Sequence, residues 1–329
     1  MTQALLVIVL AVLVVLGFLG SLVVGPAALT SVTSLSALFG GENEAARIVM
    51  QEIRLPRAIL GAMIGATLGL TGATLQGYLR NPLADPGVLG ISSTAALGAV
   101  LAIFTGASAA WVFALPAAAI VGAGVAVILL RILAGQNAGT LTLILAGVAI
   151  SSLAGALTTL TLNLSSNPFA ALEIVFWMLG SLTDRSMLHV WLAAPFMLIG
   201  WFCLLATARA LDAMTLGADV AQTLGIDVKR AQALIVGGAA VSVGAATAVA
   251  GAIGFVGLVV PHLLRPLVGA QPSRLLIASA LGGAALVLAA DIAVRIIEPT
   301  RDIKLGVLTA LVGAPFFLWL VLKTRREAL

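Results

Sequence analysis

The chain is dominated by long apolar runs that are separated by short stretches rich in proline, glycine and charge. Ten of these runs have about the length of a membrane-spanning helix, which needs about 20 predominantly apolar residues. We predict spans near residues 4–24, 57–79, 88–106, 111–130, 141–162, 188–207, 231–250, 252–268, 275–294 and 305–322. A further run, residues 168–182, is too short to span and predicts a short helix at the membrane interface or dipping into it. The pattern thus predicts an all-α polytopic membrane protein with about ten transmembrane helices.

Small residues form a repeated pattern in two of the predicted spans. In the second span, Gly61, Gly65 and Gly69 recur every fourth residue, and such faces allow close contact between helices in a membrane. A shift of 173 residues aligns this span with the seventh one and pairs Gly65 with Gly238 and Gly69 with Ser242. The two spans would enter the membrane from opposite sides. The alignment therefore predicts an inverted internal repeat, as in many transporters, with chance similarity between small-residue helices as the alternative.

The composition narrows the class of protein. Hydrophobic residues make up 61% of the 329 residues and charged residues 9%, whereas soluble domains have about 45–50% and about 25%. A soluble globular domain and a disordered chain are both excluded. No polar stretch is long enough for a second domain, so we expect one polytopic membrane domain over residues 1–329. With 17 basic against 13 acidic residues and no basic block, nucleic acid is not an expected partner.

Charges in the loops predict an orientation. Ten spans place both termini on one side of the membrane, where the loops hold ten basic and five acidic residues, against seven of each on the other side. Because positively charged loops stay in the cytoplasm, we predict that both termini are cytoplasmic.

Several kinds of chemical site are absent from the sequence. It has no G-x-x-x-x-G-K-[ST] loop, so we expect no ATP hydrolysis by the chain itself. Asp291 is the single carboxylate within the predicted spans, and Arg295 lies one turn later on the same helix face, where it can neutralise the carboxylate. This argues against an ion-coupled secondary transporter, which commonly uses acids inside the membrane. The acidic residues are scattered and Cys203 is the single cysteine, so we predict neither a metal site nor a cofactor.

Three long stretches resemble one known family. They are residues 54–92, residues 211–230, and residues 254–269 followed by 288–296 and the Gly-Ala-Pro of 313–315. These stretches resemble the permease subunits of type II ABC importers, the FecCD/BtuC-like family that takes up ferric siderophores, haem and vitamin B12. The resemblance implies a BtuC-like fold and a homodimer, or close pair, in the bacterial inner membrane. It also implies two cytoplasmic ATP-binding-cassette subunits and a periplasmic substrate-binding protein as partners.

The resemblance also implies a function. We expect a permease subunit that moves an iron chelate, a ferric siderophore or haem, across the inner membrane by alternating access. Vitamin B12 or another chelate is the alternative cargo, and an ion-coupled secondary transporter is the alternative class.

The cytoplasmic loop near residues 209–230 is the first candidate site. It alternates apolar and polar residues and contains two glycines that can break or cap short helices. An amphipathic helix of this kind can insert its apolar side into a groove, and the resemblance implies that the groove belongs to the ATPase. A solvated loop on the membrane surface is the alternative. The residues assigned to coupling are Leu216, Gly217, Asp219, Gln222, Leu224 and Gly225.

Arginines on the opposite side form the second candidate site. Arg54 and Arg57 precede the second span and Arg295 ends the ninth. Arginines at an interface often anchor a helix to the lipid, but the resemblance implies that these three form a basic patch that binds acidic residues of the binding protein. For the pathway wall, the hydroxyl-rich fifth span is the candidate, with packing hydroxyls as the alternative. Its predicted pathway residues are Ser151, Ser152, Thr158 and Asn163.

Overall fold

In the computed structural model of the chain, the described residues are 3–25, 27, 31–40, 43–135, 140–297 and 303–327. All regular secondary structure in these ranges is helical. The chain termini at residues 1–2 and 328–329, which we predicted to be cytoplasmic, lie outside the described residues.

The helices follow one another with short connections. They are α1 (Gln3–Val23), α2 (Ser31–Leu38), α3 (Glu44–Ile48), α4 (Leu55–Tyr78), α5 (Ile91–Phe104), α6 (Ala107–Ala110), α7 (Ala114–Ala134), α8 (Thr140–Leu164), α9 (Pro168–Met178), α10 (Met187–Leu205), α11 (Ala208–Met214), α12 (Ala218–Thr223), α13 (Val228–Ala250), α14 (Val256–Leu264), α15 (Pro272–Ile297) and α16 (Leu305–Glu327). A π-helical segment, Val49–Arg54, joins α3 to α4, and 3₁₀ turns at Pro86–Leu89 and Arg265–Val268 precede α5 and follow α14.

The structure has a helix at each of the ten predicted spans. Within the described residues, the helices of seven of these spans are long and apolar enough to cross a membrane. The other three are shorter: α5, the 13-residue stretch Val256–Val268, and Leu305–Leu320 of α16. At 1.5 Å per residue, Val256–Val268 reaches only about 20 Å, which is less than the hydrocarbon core of a bilayer. The predicted break at Gly251–Gly254 is non-helical, and the interfacial run forms α9.

Helix α4 lies at the centre of the subunit, as its glycine pattern predicted. Its glycine face packs so closely on α15 that a Cβ atom at Gly65 or Gly69 would overlap the backbone of Gly283 or Ser279. Helices α4 and α13 are the most buried of the long spans. Each of the two aligned helices therefore occupies an inner position, while the inverted repeat itself stays a prediction.

Candidate functional site

The predicted coupling loop consists of two short helices, α11 and α12, separated by Gly217. Gly217 has a φ of +116° where α12 begins, and Gly225 has a φ of +82° just after α12 ends. Residues other than glycine rarely adopt these backbone conformations, so the two glycines define where the short helix starts and ends.

Helix α11 is attached to the start of α15. Leu211 and Met214 are buried, and the carboxylate of Asp212 accepts hydrogen bonds from the Ser273 amide at 2.9 Å and from the Gln271 side chain at 3.0 Å. Burial by itself would raise the pKa of Asp212, but these hydrogen bonds and the charge of Arg274 lower it overall. The first half of the loop is therefore fixed to a long helix of the subunit.

Residues 216–224, which contain α12, in contrast present apolar side chains outward. Leu216, Val220 and Leu224 are 66%, 43% and 62% exposed, whereas Ala221 is buried against the subunit. The polar coupling residues Asp219 and Gln222 are exposed as well. Residues 216–224 thus carry an outward-facing apolar row next to the anchored helix α11, and their role in coupling stays a prediction.

Two of the three predicted docking arginines, Arg57 and Arg295, contact Asp291. Arg57 contacts the Asp291 carboxylate through Nε at 2.9 Å and Nη2 at 2.8 Å, and Arg295 contacts it through Nη2 at 2.7 Å. The pairing of Asp291 with Arg295 agrees with the sequence analysis. Sequence reasoning missed the contact with Arg57, which is 234 residues away in the chain.

Two of the three arginines, Arg54 and Arg295, donate hydrogen bonds to carbonyl groups at the end of α1. Arg54 donates to the carbonyl oxygens of Leu22 at 2.9 Å and Val23 at 2.8 Å, and Arg295 donates to those of Ser21 at 2.9 Å and Val24 at 2.6 Å. The last carbonyl groups of a helix have no partner within the helix, and these guanidinium groups supply one. The cluster therefore joins the end of α1 to the start of α4 and to the end of α15.

This burial changes the interpretation of the arginines. Arg54 is only 3% exposed, and the side chains of Arg57 and Arg295 are 15% and 6% exposed. Most of the surface of these side chains is thus covered within the subunit, and Arg57 is the least covered of the three. A contact with a binding protein through any of them stays a prediction.

The four predicted pathway residues divide between two faces of α8. Thr158 is buried and Ser151 donates to the Gly87 carbonyl oxygen at 3.1 Å, so both face the subunit interior. Ser152 and Asn163 are exposed on the other side. Thr158 and Ser151 therefore pack within the subunit, Ser152 and Asn163 are exposed, and a pathway role of these four residues stays a prediction.

A buried polar contact near α14 had no signal in the sequence. Gln76 is fully buried; it donates to the carbonyl oxygens of Gly257 and Leu258 and accepts a hydrogen bond from Arg265 at 2.7 Å. It ties the short helix α14 to α4, and the partners are 181 to 189 residues apart in the chain.

The described residues contain no group of three or more His, Cys, Asp or Glu side chains that could hold a metal ion.

Comparisons with known proteins agree in one family. The model of the FecCD transport family matches residues 12–323. The cobalamin import system permease protein BtuC of Halobacterium salinarum is 41% identical over 283 residues, which cover 85% of this chain and 75% of that protein. The hemin transport system permease protein HmuU of Yersinia pestis is 37% identical over 289 residues, 87% and 86% of the two chains. A solved structure described as an inward-facing conformation of a metal-chelate type ABC transporter superposes with a TM-score of 0.86 at 31% identity, covering 96% of this chain and 98% of that one.

Proposed function

Since this chain belongs to the FecCD transport family, we propose that it moves an iron chelate, a ferric siderophore or haem, across the bacterial inner membrane as the permease of an ABC importer. The relative named for hemin supports this cargo. Cobalamin is the second candidate, because the relative from Halobacterium salinarum is named for cobalamin import.

The observation that carries the proposal is the outward apolar row of residues 216–224, which contain α12. Leu216, Val220 and Leu224 are exposed there at a spacing of four residues, and such a row suits insertion into the groove of a cytoplasmic ATPase. Because α11 is bound to the start of α15 through Asp212, a displacement of α12 would be passed to a long central helix. Leu216, Gly217, Asp219, Gln222, Leu224 and Gly225 would then be the coupling residues.

The rest of the assembly follows the family. We infer that residues 1–329 form one permease domain with both termini cytoplasmic, that two copies pair, and that two ATPase subunits and a periplasmic binding protein complete the importer. The exposed Ser152 and Asn163 on α8 support a pathway or a second copy at that face. An ion-coupled transporter is disfavoured because Asp291 is 1% exposed and paired with two arginines.

Docking of a binding protein at the arginine cluster belongs to the same proposal. Arg57 has the most exposed side chain of the three arginines, so we expect it to make the main contact, with Arg54 and Arg295 holding the surrounding helix ends in place. The on-rate of the binding protein, compared between wild type and Arg57→Gln at two salt concentrations, tests this, because ionic contacts at a wet interface are screened by salt. Equal on-rates in all four conditions would remove the docking role.

Transport with defined components tests the whole proposal. The chain is placed in proteoliposomes with its ATPase and binding protein, and uptake of a ferric siderophore, haem and cobalamin is measured with and without ATP. We expect ATP-dependent uptake of an iron chelate and no ATP hydrolysis by the permease alone. Uptake of cobalamin but of neither iron chelate would show that cobalamin, the second candidate, is the cargo. Uptake driven by an ion gradient without the ATPase would overturn the proposal.

A further inference from the structure

A cleft of about 430 Å³ opens between the end of α7, the start of α8 and the start of α13. Its floor is formed by Leu130, Leu143 and Val236, which are 1%, 3% and 7% exposed. The cleft therefore has an apolar floor and lies where three membrane helices begin or end.

Two cations lie at this cleft. Arg131, in the last turn of α7, and Lys229, in the first turn of α13, both line it and are exposed, and Gln232 adds a polar amide one turn further along α13. No acidic residue lines the cleft, and neither cation forms an ion pair with any residue that the structure describes. The charge of the site is therefore uncompensated by the part of the chain that is described.

From this arrangement we propose that the cleft binds an anionic phospholipid, with the headgroup phosphate between Arg131 and Lys229 and the start of an acyl chain on the apolar floor. Basic pockets between membrane helices suit phosphate-bearing headgroups, and each nearby cation strengthens binding. A soluble phosphate would use the two cations but would leave the apolar floor uncovered, so the geometry favours a lipid. The proposal does not depend on the cargo or on the ATPase.

The test is a lipid titration of the purified full-length chain by native mass spectrometry. Phosphatidylglycerol and phosphatidylcholine of equal chain length are the probes, and glycerol phosphate is the soluble competitor. The variant Arg131→Gln with Lys229→Gln removes both charges. The matched control, Arg230→Gln with Arg274→Gln, removes two exposed charges that do not line the cleft.

We expect wild type and the control to prefer phosphatidylglycerol, and the cleft variant to bind it about twenty-five-fold more weakly, at about fivefold per cation. Glycerol phosphate should not displace the lipid. As a check that does not depend on a variant, a photoreactive phosphatidylglycerol should label peptides from α7 and α13 of the wild-type chain. Equal affinity in wild type and cleft variant, or labelling spread over all helices, would mean unspecific lipid contact and would overturn the proposal. Displacement by glycerol phosphate would overturn the assignment to a lipid.

Discussion

Asp291→Asn is the most direct test of whether the arginine cluster stabilises the fold. The carboxylate is 1% exposed and makes three contacts below 3 Å with Arg57 and Arg295. Asparagine keeps the size of the side chain and one acceptor oxygen, but it removes the charge that compensates two buried guanidinium groups. Both arginines would then have no carboxylate partner among the described residues.

The size of the effect follows from this burial. Removing one partner of a buried ion pair costs about 3–5 kcal/mol, because the remaining charge is desolvated and uncompensated. Since the asparagine oxygen can still accept a hydrogen bond from one arginine, we expect a loss near the lower limit, about 3 kcal/mol of unfolding free energy. Arg295 also holds the end of α1, so amide hydrogen exchange should increase around Ser21 and Val24.

The assay is reversible unfolding of the purified chain in mixed micelles, with hydrogen exchange on the same samples. Glu52→Gln is the control, because Glu52 is an exposed carboxylate that forms no ion pair with the described residues. A loss below about 1 kcal/mol for Asp291→Asn, equal to that of the control, would refute the view that this cluster stabilises the fold. It would instead favour arginines whose main role is contact with a partner.

Three further changes test the packing, the coupling segment and its anchor. Gly69→Val should lower the free energy of unfolding by about 1–3 kcal/mol, because the new side chain would overlap the α15 backbone. The control Gly124→Val, whose side chain would point into open space, should unfold near the wild-type temperature. Equal stability of the two variants would contradict the close packing of α4 on α15. Gly217→Trp and Leu224→Asp should abolish ATP-driven uptake and weaken ATPase co-purification without changing insertion, so that normal transport by both would show an idle surface loop. Asp212→Asn should cost about 1–2 kcal/mol. Because the pKa of Asp212 is lowered in the folded state, its contribution to the free energy of unfolding is present above about pH 4 and is lost as the pH falls through the folded pKa. The stability-versus-pH curves of wild type and Asp212→Asn should therefore converge in acid. Parallel curves would contradict the anchoring role of Asp212.

The helices themselves could be predicted because membrane insertion depends on local composition. The runs of apolar residues and their glycine and proline boundaries gave all ten helical regions and the small interfacial helix α9. The short helix α12 followed from Gly217 and Gly225, whose positive φ values are a local property as well. The shortness of α14 was not predictable, because the apolar run continues through Arg265–Val268 while the backbone turns to a 3₁₀ helix there.

The polar contacts could not be predicted, because they depend on which helices become neighbours. Arg295 and Asp291 are one turn apart and were paired correctly, but Arg57 reaches the same carboxylate from a helix 234 residues away. Arg54, which the RLPR motif grouped with Arg57, instead caps α1. Spacing alone therefore grouped the three arginines but could not predict the partners that bury them, and their docking role stays a prediction.

That burial has a consequence for how this end of the subunit could take part in transport. Arg295 joins α15 to the end of α1, and Arg57 joins α4 to α15. Arg54, just before α4, bonds to the same end of α1, so three helix ends meet at one polar cluster. At its other end, helix α15 contacts α11, where the Ser273 amide donates a hydrogen bond to Asp212. A displacement of the coupling segment would therefore act on the same helix that carries the cluster, and the two ends of the subunit are connected by a single 26-residue helix. If α15 moves as a rigid body, Asp212→Asn and Asp291→Asn should both weaken the coupling of ATP hydrolysis to uptake, even though their side chains lie at opposite ends of it.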